Sequence, residues 1–179
     1  MNLKERYLKE IAPQLEKELK IENVMGLPRV SHITVAVGLS PGTKDAKIEE
    51  TAKGVLQRIT GQKPVETKAK KSISNFKIRQ GMVVGLRVTL RGKRMWDFLD
   101  KLLNVTFPRI RDFRGLSPKL MDASGNVSIG FKEFLAFPEI RPDEVERMHG
   151  LQITITTTSG TKERGISLLK HLGFPFFKD

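Results

Sequence analysis

The side chains of this sequence that could do chemistry are mostly positively charged, and they are concentrated in one part of the chain. Ten lysines and arginines lie between Lys63 and Arg94, with Glu66 as the only acidic residue among them, so this segment carries +9 of the net charge of +12. Like charge at this density repels itself and favours a polyanion as partner. The spacing therefore predicts a surface that binds nucleic acid phosphates and loses affinity steeply as salt rises. A basic surface that faces only water is the plainer alternative.

Residues that could support catalysis or bind a metal are few and scattered. The three histidines, His32, His149 and His171, fall on different predicted elements, and the chain has no cysteine for a thiolate site or a disulfide. The stretch GTKERGIS, which begins at Gly160, has the two glycines of a phosphate-binding loop, but Ile166 stands where that motif requires lysine. The sequence has no nucleophile elbow and no motif-supported pair of carboxylates. These observations predict a protein that is not an enzyme and holds no cofactor or metal.

Length and hydropathy limit the class of protein. The 179 residues are enough for one domain with a substantial core, so residues 1–179 are predicted to form a single domain. No apolar run approaches the roughly 20 residues that a membrane-spanning helix needs. The start, MNLKERYLKE, lacks the apolar core of a signal peptide. These features predict a cytoplasmic protein with no membrane partner.

The elements that must position the basic residues follow from hydrophobic periodicity. Apolar residues at spacing four predict an N-terminal helix, with a kink or a restart at Pro13. Period-two runs and further helical stripes follow along the chain. The predicted strands are 29–37, 65–68, 86–91 and 151–159, and the stretch MDASGNVSIG, residues 121–130, predicts a hairpin loop that enters a further short strand. Four further helices are predicted. The first ends near residue 60, the second and third are 93–104 and 141–150, and the last includes residues 166–172.

The order of these elements predicts an α+β fold, in which helices pack on one face of a mainly antiparallel sheet. The opposite face is open for RNA, and its polar side chains are His32, Thr34, Arg87, Thr89, Arg91, Gln152, Thr154 and Thr156. Because strand 86–91 has no aromatic residue for base stacking, structured RNA fits this face better than single strands do. A sheet face that is simply polar towards water is the alternative.

The densest part of the basic segment is KAKKSISNFKIRQG, residues 68–81, which has five positive residues and no negative one. Gly81 and Gly85 can adopt backbone conformations that other residues resist. We therefore expect a long basic loop between two strands, at about residues 69–85. Its one aromatic residue, Phe76, either packs beneath the loop or contacts RNA directly.

Two long motifs resemble a known family. The stretches TKAKKSISNFKIRQGMVVGLRVTLRG and FLDKLLNVTFPRIRDFRGLSPK, followed by FPEI and the ending LGFPF, are similar to large-subunit ribosomal protein five of the bacterial type. The resemblance runs in order from the N-terminal helix to the end of the chain. It implies a structural constituent of the large ribosomal subunit in the cytoplasm.

The resemblance also implies which RNAs are bound. Family members bind 5S ribosomal RNA through the open sheet face and help to anchor it in the central protuberance, with 23S ribosomal RNA and other 5S-associated ribosomal proteins as further partners. The expected 5S contacts, from the resemblance and from the polar face, are Thr34, Gln62, Arg87, Thr89, Arg91, Arg109 and Arg111. Phosphates of ribosomal RNA are the expected partners of Lys68, Lys70 and Lys71.

The resemblance implies that the long basic loop, at about residues 69–85, projects from the sheet, because in the family this loop reaches the transfer RNA in the P site. The residues that match this loop here are Ser72, Ser74, Asn75, Phe76, Lys77, Arg79 and Gln80. The family also bridges to small-subunit ribosomal protein thirteen, and the locally acidic segment 141–148 is the implied position of that bridge.

Three local features depart from the family pattern. Ala36 stands where the family usually has asparagine, so this side chain cannot make the hydrogen bond to RNA that is normally made there. The loop MDASGNV lacks the usual arginine and tyrosine. The last helix begins TKERG instead of with an acidic run, and Gly165 inside a helix costs about 1 kcal/mol relative to alanine.

Two other classes of function stay open from the sequence. A free-standing RNA chaperone or regulator on the same scaffold would be found mainly outside ribosomal particles. An RNA-modifying enzyme ranks last, because no set of residues supplies an acid, a base or a nucleophile.

Overall fold

The chain folds into two compact units. A computed structural model describes residues 2–39, 46–110, 113–132, 134–140 and 149–177. The first unit contains Met1–Ile33, Arg91–Ile129 and Thr154–Asp179, and the second contains Thr34–Leu90 and Gly130–Ile153. The single domain expected over residues 1–179 stays a prediction.

Five strands form one antiparallel sheet, which confirms the predicted α+β fold. The strands are β1 (Val30–Gly38), β2 (Val65–Lys68), β3 (Val83–Leu90), β4 (Val127–Phe131) and β5 (Leu151–Thr157), in the order β2-β3-β1-β5-β4. Alternate residues of β1, β3 and β5 are buried, as the period of two predicts. The alternation fails at the start of β1, where Val30 is buried and Ser31 is only half-buried.

The N-terminal helix of the first unit follows the predicted spacing of four. It consists of α1 (Leu3–Arg6), a π turn (Tyr7–Ile11) and α2 (Ala12–Leu19), and its buried residues are Leu3, Tyr7, Ile11 and Leu15. The kink or restart expected at Pro13 takes the form of the π turn. Proline cannot donate a backbone hydrogen bond, and its ring crowds the carbonyl four residues earlier. A wider turn at that carbonyl relieves the crowding.

A second π turn next to a proline occurs later in the first unit. Helix α4 (Gly92–Lys101) passes through a π turn (Leu102–Thr106) into α5 (Phe107–Arg109), which contains Pro108. The helical segment in the structure, Gly92–Arg109, is therefore longer than the predicted 93–104. Trp96 of α4 is buried with its ring centroid 5.5 Å from that of Tyr7, whose hydroxyl donates to the Pro28 carbonyl at 3.0 Å.

The C-terminal helix α6 (Lys162–Leu172) completes the first unit. The Ser167 hydroxyl donates to a carboxylate oxygen of Glu18 in α2 at 2.5 Å, and the other oxygen of Glu18 lies 3.4 Å from Nε2 of His171. Short 3-10 turns occupy Val24–Gly26, Pro118–Leu120 and, in the second unit, Phe134–Ala136. No helix in the described ranges is long and apolar enough to cross a membrane.

Helix α3 (Ala46–Thr60) packs against β3 in the second unit. The sequence predicts a buried stripe of Ile48, Ala52, Val55, Leu56 and Ile59 on this helix, and all of them are buried except Ile48, which is half-buried. Lys53 on this helix contacts carboxylate oxygens of Glu49 at 2.7 Å and of Glu66 in β2 at 2.6 Å. These hydrogen bonds raise the pKa of Lys53 and lower that of Glu66. The contacts tie the helix to the edge strand.

Candidate nucleic-acid interface

In the second unit, one side of the sheet is polar. Because β1, β3 and β5 bury alternate residues, the residues between them face the other way. We define the polar patch as Thr34, Ala36, Arg87, Thr89 and Gln152. Arg87 and Gln152 are exposed, and the other three are half-buried. The patch can donate and accept hydrogen bonds and carries one positive charge, which suits an RNA backbone with its phosphates and 2′-hydroxyls.

Gln62, a predicted contact distant in sequence from β3, lies beside the patch. Its side-chain amide donates to the Thr89 carbonyl at 3.3 Å. Gly61, with φ of +65°, ends α3 and lets the chain turn there. The Thr60 hydroxyl accepts from the Gln62 backbone N–H at 3.3 Å and donates to the Leu56 carbonyl at 2.6 Å. The end of α3 thus brings two of the predicted residues together.

The β2–β3 register adds residues that sequence reasoning missed. Val65 lies opposite Arg87, and Thr67 lies opposite Gly85. Directly opposed residues of an antiparallel pair point to the same side of the sheet. Val65 is 62% exposed and Thr67 is half-buried on this side. A four-residue strand is too short for its own alternation to reveal this, and the pairing register was the missing information.

The first unit contributes its own polar residues. Arg91 was predicted to end a strand, but it follows β3 in an extended conformation and precedes the first residue of α4, where its side chain is exposed. Burial and, to a smaller degree, the positive charge of Arg91 lower the pKa of His32. The imidazole is therefore neutral at pH 7. The hydroxyls of Ser128 and Thr154 lie 3.1 Å apart, so they satisfy each other on neighbouring strands.

Other predicted residues are separate from these groups. Arg109 ends α5 in the first unit and is exposed. Arg111 and the segment 141–148, the expected bridge to the small subunit and part of the helix predicted at 141–150, lie outside the described residues. Among the residues that are described, no group of histidine, aspartate and glutamate is arranged to hold a metal ion.

The basic segment between β2 and β3 folds back on itself. We call residues 69–82 the basic hairpin, because Ala69 and Met82 pair at its base through an N–H···O bond of 2.8 Å. Ile73 and Ile78 exchange two backbone hydrogen bonds of 2.9 and 3.1 Å nearer the tip. Lys68, Lys70 and Lys71 are exposed in and beside the first arm. Projection of this segment from the sheet stays a prediction.

The tip of the basic hairpin is a tight turn. The Lys77 N–H donates to the Ser74 carbonyl at 2.9 Å, and Lys77 adopts a left-handed conformation with φ of +53°. Asn75 and Phe76 occupy the centre of this turn, and Phe76 is 57% exposed. Of the two expectations for Phe76, packing beneath the loop is therefore wrong. The ring is available to a partner.

Two of the expected contact residues have a structural role as well. The Gln80 backbone N–H donates to the Ser72 hydroxyl at 2.9 Å, which joins the two arms of the basic hairpin. The Arg79 N–H points to the Met82 sulfur at 3.2 Å. Arg79 and Gln80 are themselves exposed residues. The backbone of this segment is thus held by hydrogen bonds while these residues stay exposed.

Two family profiles match the chain. The profile described as "Ribosomal protein L5" matches residues 23–79, and the profile for the C-terminus of the same ribosomal protein family matches residues 83–176.

Curated relatives match over nearly the whole length. The protein named large ribosomal subunit protein uL5 from Symbiobacterium thermophilum is 51% identical over 175 residues, 98% of this chain and 97% of that protein. The proteins of the same name from Natranaerobius thermophilus and Halothermothrix orenii are 49% and 51% identical over 174 residues, and each match covers 97% of both chains.

Proposed function

This chain belongs to the ribosomal L5 protein family, and from that membership we propose that it binds 5S ribosomal RNA and helps to anchor it in the central protuberance. The family is a structural and non-enzymatic constituent of the large ribosomal subunit in the cytoplasm, and RNA binding follows from membership. The choice of 5S RNA as partner follows from the resemblance of the two long motifs.

The observation that carries this proposal is the polar patch. The strands that bury Val88 and Ile153 on one side present Arg87, Thr89 and Gln152 on the other. Hydroxyl, amide and guanidinium groups at sheet spacing are the donors and acceptors that phosphates and 2′-hydroxyls require. The buried side fixes the orientation of the strands, so the polar side is held ready for RNA.

Charge supports the same partner. Arg87 and Arg91 are both exposed and positively charged. His32 adds no further positive charge at pH 7, because its pKa is lowered. Arginine makes bidentate contacts to phosphate, so Arg87 and Arg91 are the expected anchors. Thr34, Thr89 and Gln62 supply neutral hydrogen-bonding groups, with Arg109 and Arg111 as further contacts.

The basic hairpin has a separate role in this proposal. Lys68, Lys70 and Lys71 bind phosphates of ribosomal RNA, including 23S RNA. The tip, residues 72–80, contacts the transfer RNA in the P site, where the exposed Phe76 ring and the Lys77 ammonium are available. The bridge to small-subunit protein thirteen belongs to the segment 141–148, and other 5S-associated proteins are further partners.

The test is a binding comparison between 5S RNA and a random RNA of equal length. The wild-type protein should prefer 5S RNA and should lose affinity steeply with salt. The double variant Thr89→Ala with Arg91→Ala should weaken 5S binding by about tenfold or more, because a hydrogen bond to a charged group is lost. The slope of log K against log salt should also fall by about one unit for the lost phosphate contact.

A matched control removes the same side-chain types elsewhere. Thr161→Ala with Arg164→Ala deletes an exposed threonine and an exposed arginine at the start of α6. This pair should leave 5S affinity nearly unchanged. Equal affinity of the wild-type protein for both RNAs, or full 5S affinity in the folded Thr89/Arg91 variant, would contradict the proposal.

A free-standing RNA chaperone on this scaffold makes a different prediction. Most of the protein would then be found outside ribosomal particles after sucrose-gradient fractionation of a cell extract. We expect it to sediment mainly with the large subunit.

A further inference from the structure

Gln62 takes the place of a strand residue beside the end of β3. In the pairing of β2 with β3, Val65 lies opposite Arg87. Extending this register by two residues would place Lys63 opposite Thr89, but β2 begins at Val65. The side-chain amide of Gln62 bonds to the Thr89 carbonyl instead, at 3.3 Å. The position of Gln62 therefore depends on the turn that follows α3 and not on the pairing of the strands.

This turn is closed around one buried hydroxyl, that of Thr60. Thr60 is 7% exposed, and its hydroxyl donates to the Leu56 carbonyl at 2.6 Å. The hydroxyl oxygen also accepts from the backbone N–H of Gln62 at 3.3 Å and lies 3.2 Å from the backbone carbonyl oxygen of Gln62. One side chain thus contacts both polar groups of the Gln62 backbone.

The backbone N–H of Gln62 needs such a partner because the helix has already ended. Gly61 is left-handed, with φ of +65°, and its N–H donates to the Gln57 carbonyl at 2.8 Å. A single bond of this kind closes the αL type of helix end, and it provides no helical carbonyl for the N–H of the next residue. At this position the Thr60 hydroxyl supplies the missing acceptor.

The two sets of bonds made by Thr60 have different consequences. A threonine hydroxyl that bonds to the carbonyl four residues earlier is common in helices, and the bond to Leu56 acts within α3 alone. The contacts with Gln62 join the last turn of the helix to a residue whose side chain reaches β3. Loss of the hydroxyl would free the Gln62 backbone and, with it, the starting point of the bond to Thr89.

We propose that Thr60 is a positioning residue for 5S RNA binding. Its hydroxyl holds the Gln62 backbone, and the bond to Thr89 then orients the Gln62 amide beside the polar patch. A glutamine amide has two donor and two acceptor sites, so one bond to a carbonyl leaves sites for RNA. Thr60 itself is buried and acts through Gln62. The inference rests on the 5S contact of Gln62 proposed above.

The test is a double-mutant cycle in 5S RNA binding. Thr60→Val removes the hydroxyl and nearly keeps the shape of the side chain, and Gln62→Ala removes the amide. Thr60→Val should weaken 5S binding by about fivefold, the worth of one hydrogen bond between neutral groups, whereas Thr60→Ser should restore most of the affinity. In the Gln62→Ala background, Thr60→Val should have no further effect on affinity. The slope of log K against log salt should not change, because no phosphate contact is lost.

Two measurements separate positioning from stability. The control Thr157→Val removes another buried threonine hydroxyl, which donates to the Gly125 carbonyl at 2.9 Å in the first unit. This variant should be less stable in urea but should keep its 5S affinity. Thr60→Val should lower the free energy of unfolding to the same degree with and without Gln62→Ala, although its effect on binding depends on Gln62.

The outcomes separate this inference from the proposed function. Unchanged 5S affinity in folded Thr60→Val, an equal loss in both Gln62 backgrounds, or a Thr60→Ser variant as weak as Thr60→Val would overturn the positioning role alone. Full affinity in Gln62→Ala would remove Gln62 from the 5S contacts and this inference with it. Failure of the wild-type protein to select 5S RNA would remove the proposed function as well. If circular dichroism shows that Thr60→Val is misfolded, Thr60→Ala replaces it with the same expected results, because alanine also lacks the hydroxyl and favours a helix.

Discussion

Replacing Gly165 by alanine should destabilise the first unit, although alanine is the better helix former. Gly165 lies inside α6 and is buried. A Cβ atom there would lie 2.6 Å from the carbonyl oxygen of Gly125, 2.7 Å from its Cα atom and 2.7 Å from the terminal methyl of Met121. Methionine can move, but the two backbone atoms of Gly125 cannot move cheaply.

The turn at Gly125 is held by several hydrogen bonds. The Thr157 hydroxyl donates to the Gly125 carbonyl at 2.9 Å, and the Gly125 N–H donates to the Asp122 carbonyl at 3.2 Å. Alanine gains about 1 kcal/mol in helix propensity, whereas overpacking costs about 1–3 kcal/mol. Because the obstructing atoms belong to restrained backbone, we expect a cost in the upper part of that range. The free energy of unfolding should then fall by about 2 kcal/mol in total.

The assay is urea unfolding followed by the fluorescence of Trp96, the single tryptophan, which is buried in the first unit. The matched control is Gly54→Ala in α3, where a Cβ atom meets nothing within 4 Å. Unfolding followed by circular dichroism should show that the free energy of unfolding of this variant rises by about 1 kcal/mol. For a chain of this size, that corresponds to a rise of about 2–4 °C in Tm. If Gly165→Ala is stabilised like Gly54→Ala, the close approach of α6 to the Gly125 turn is refuted.

Two further predictions concern the basic hairpin and the Asp122 turn. Deletion of residues 74–78 should spare the fold and 5S affinity but reduce cross-linking to transfer RNA in the P site, and loss of 5S binding would contradict the assignment of the tip. Hydrogen bonds, first from the Asn126 backbone and then from its side chain, lower the pKa of Asp122 from 3.8. The ionised carboxylate thus contributes stability that is complete above pH 3.8 and is lost as pH falls through the lowered value. Asp122→Asn should be less stable than the wild-type protein in urea at pH 6, and this difference should shrink towards pH 3; an equal difference at both would contradict the role of ionisation.

Local pattern predicted much of the fold. The alternation of Ile33, Val35 and Val37 and the stripe of Val55, Leu56 and Ile59 predict that these residues lie in the core, and all of them are buried. Both signals depend only on the geometry of a strand or a helix, which repeats every few residues. Alternate residues of a strand point to opposite faces, and the residues that alternate with the buried ones in β3 include Arg87 and Thr89, so the polar side of β3 was predictable too.

Contacts between distant segments were not predictable in the same way. No period in the sequence indicates that Gln62 donates to the Thr89 carbonyl, or that Thr67 lies opposite Gly85. Strand register and loop path decide these pairs, and a shift by one residue would reverse every side chain. The same limit applies to Gly165, which the sequence alone predicts to destabilise its helix. The backbone of Gly125 leaves no room for a side chain at this position, but Gly125 is 40 residues away in sequence.

The sequence by itself determined the class of protein: its charge, the scarcity of catalytic residues and the two long motifs indicate an RNA-binding ribosomal protein, because composition and motif are properties of the chain alone. Only the tertiary structure decided that Phe76 is exposed, that Arg91 precedes α4, and that small residues on and beside neighbouring strands leave a recess beside Arg87. A recess is formed by side chains that are absent from neighbouring strands. It exists only once the register has brought those strands together.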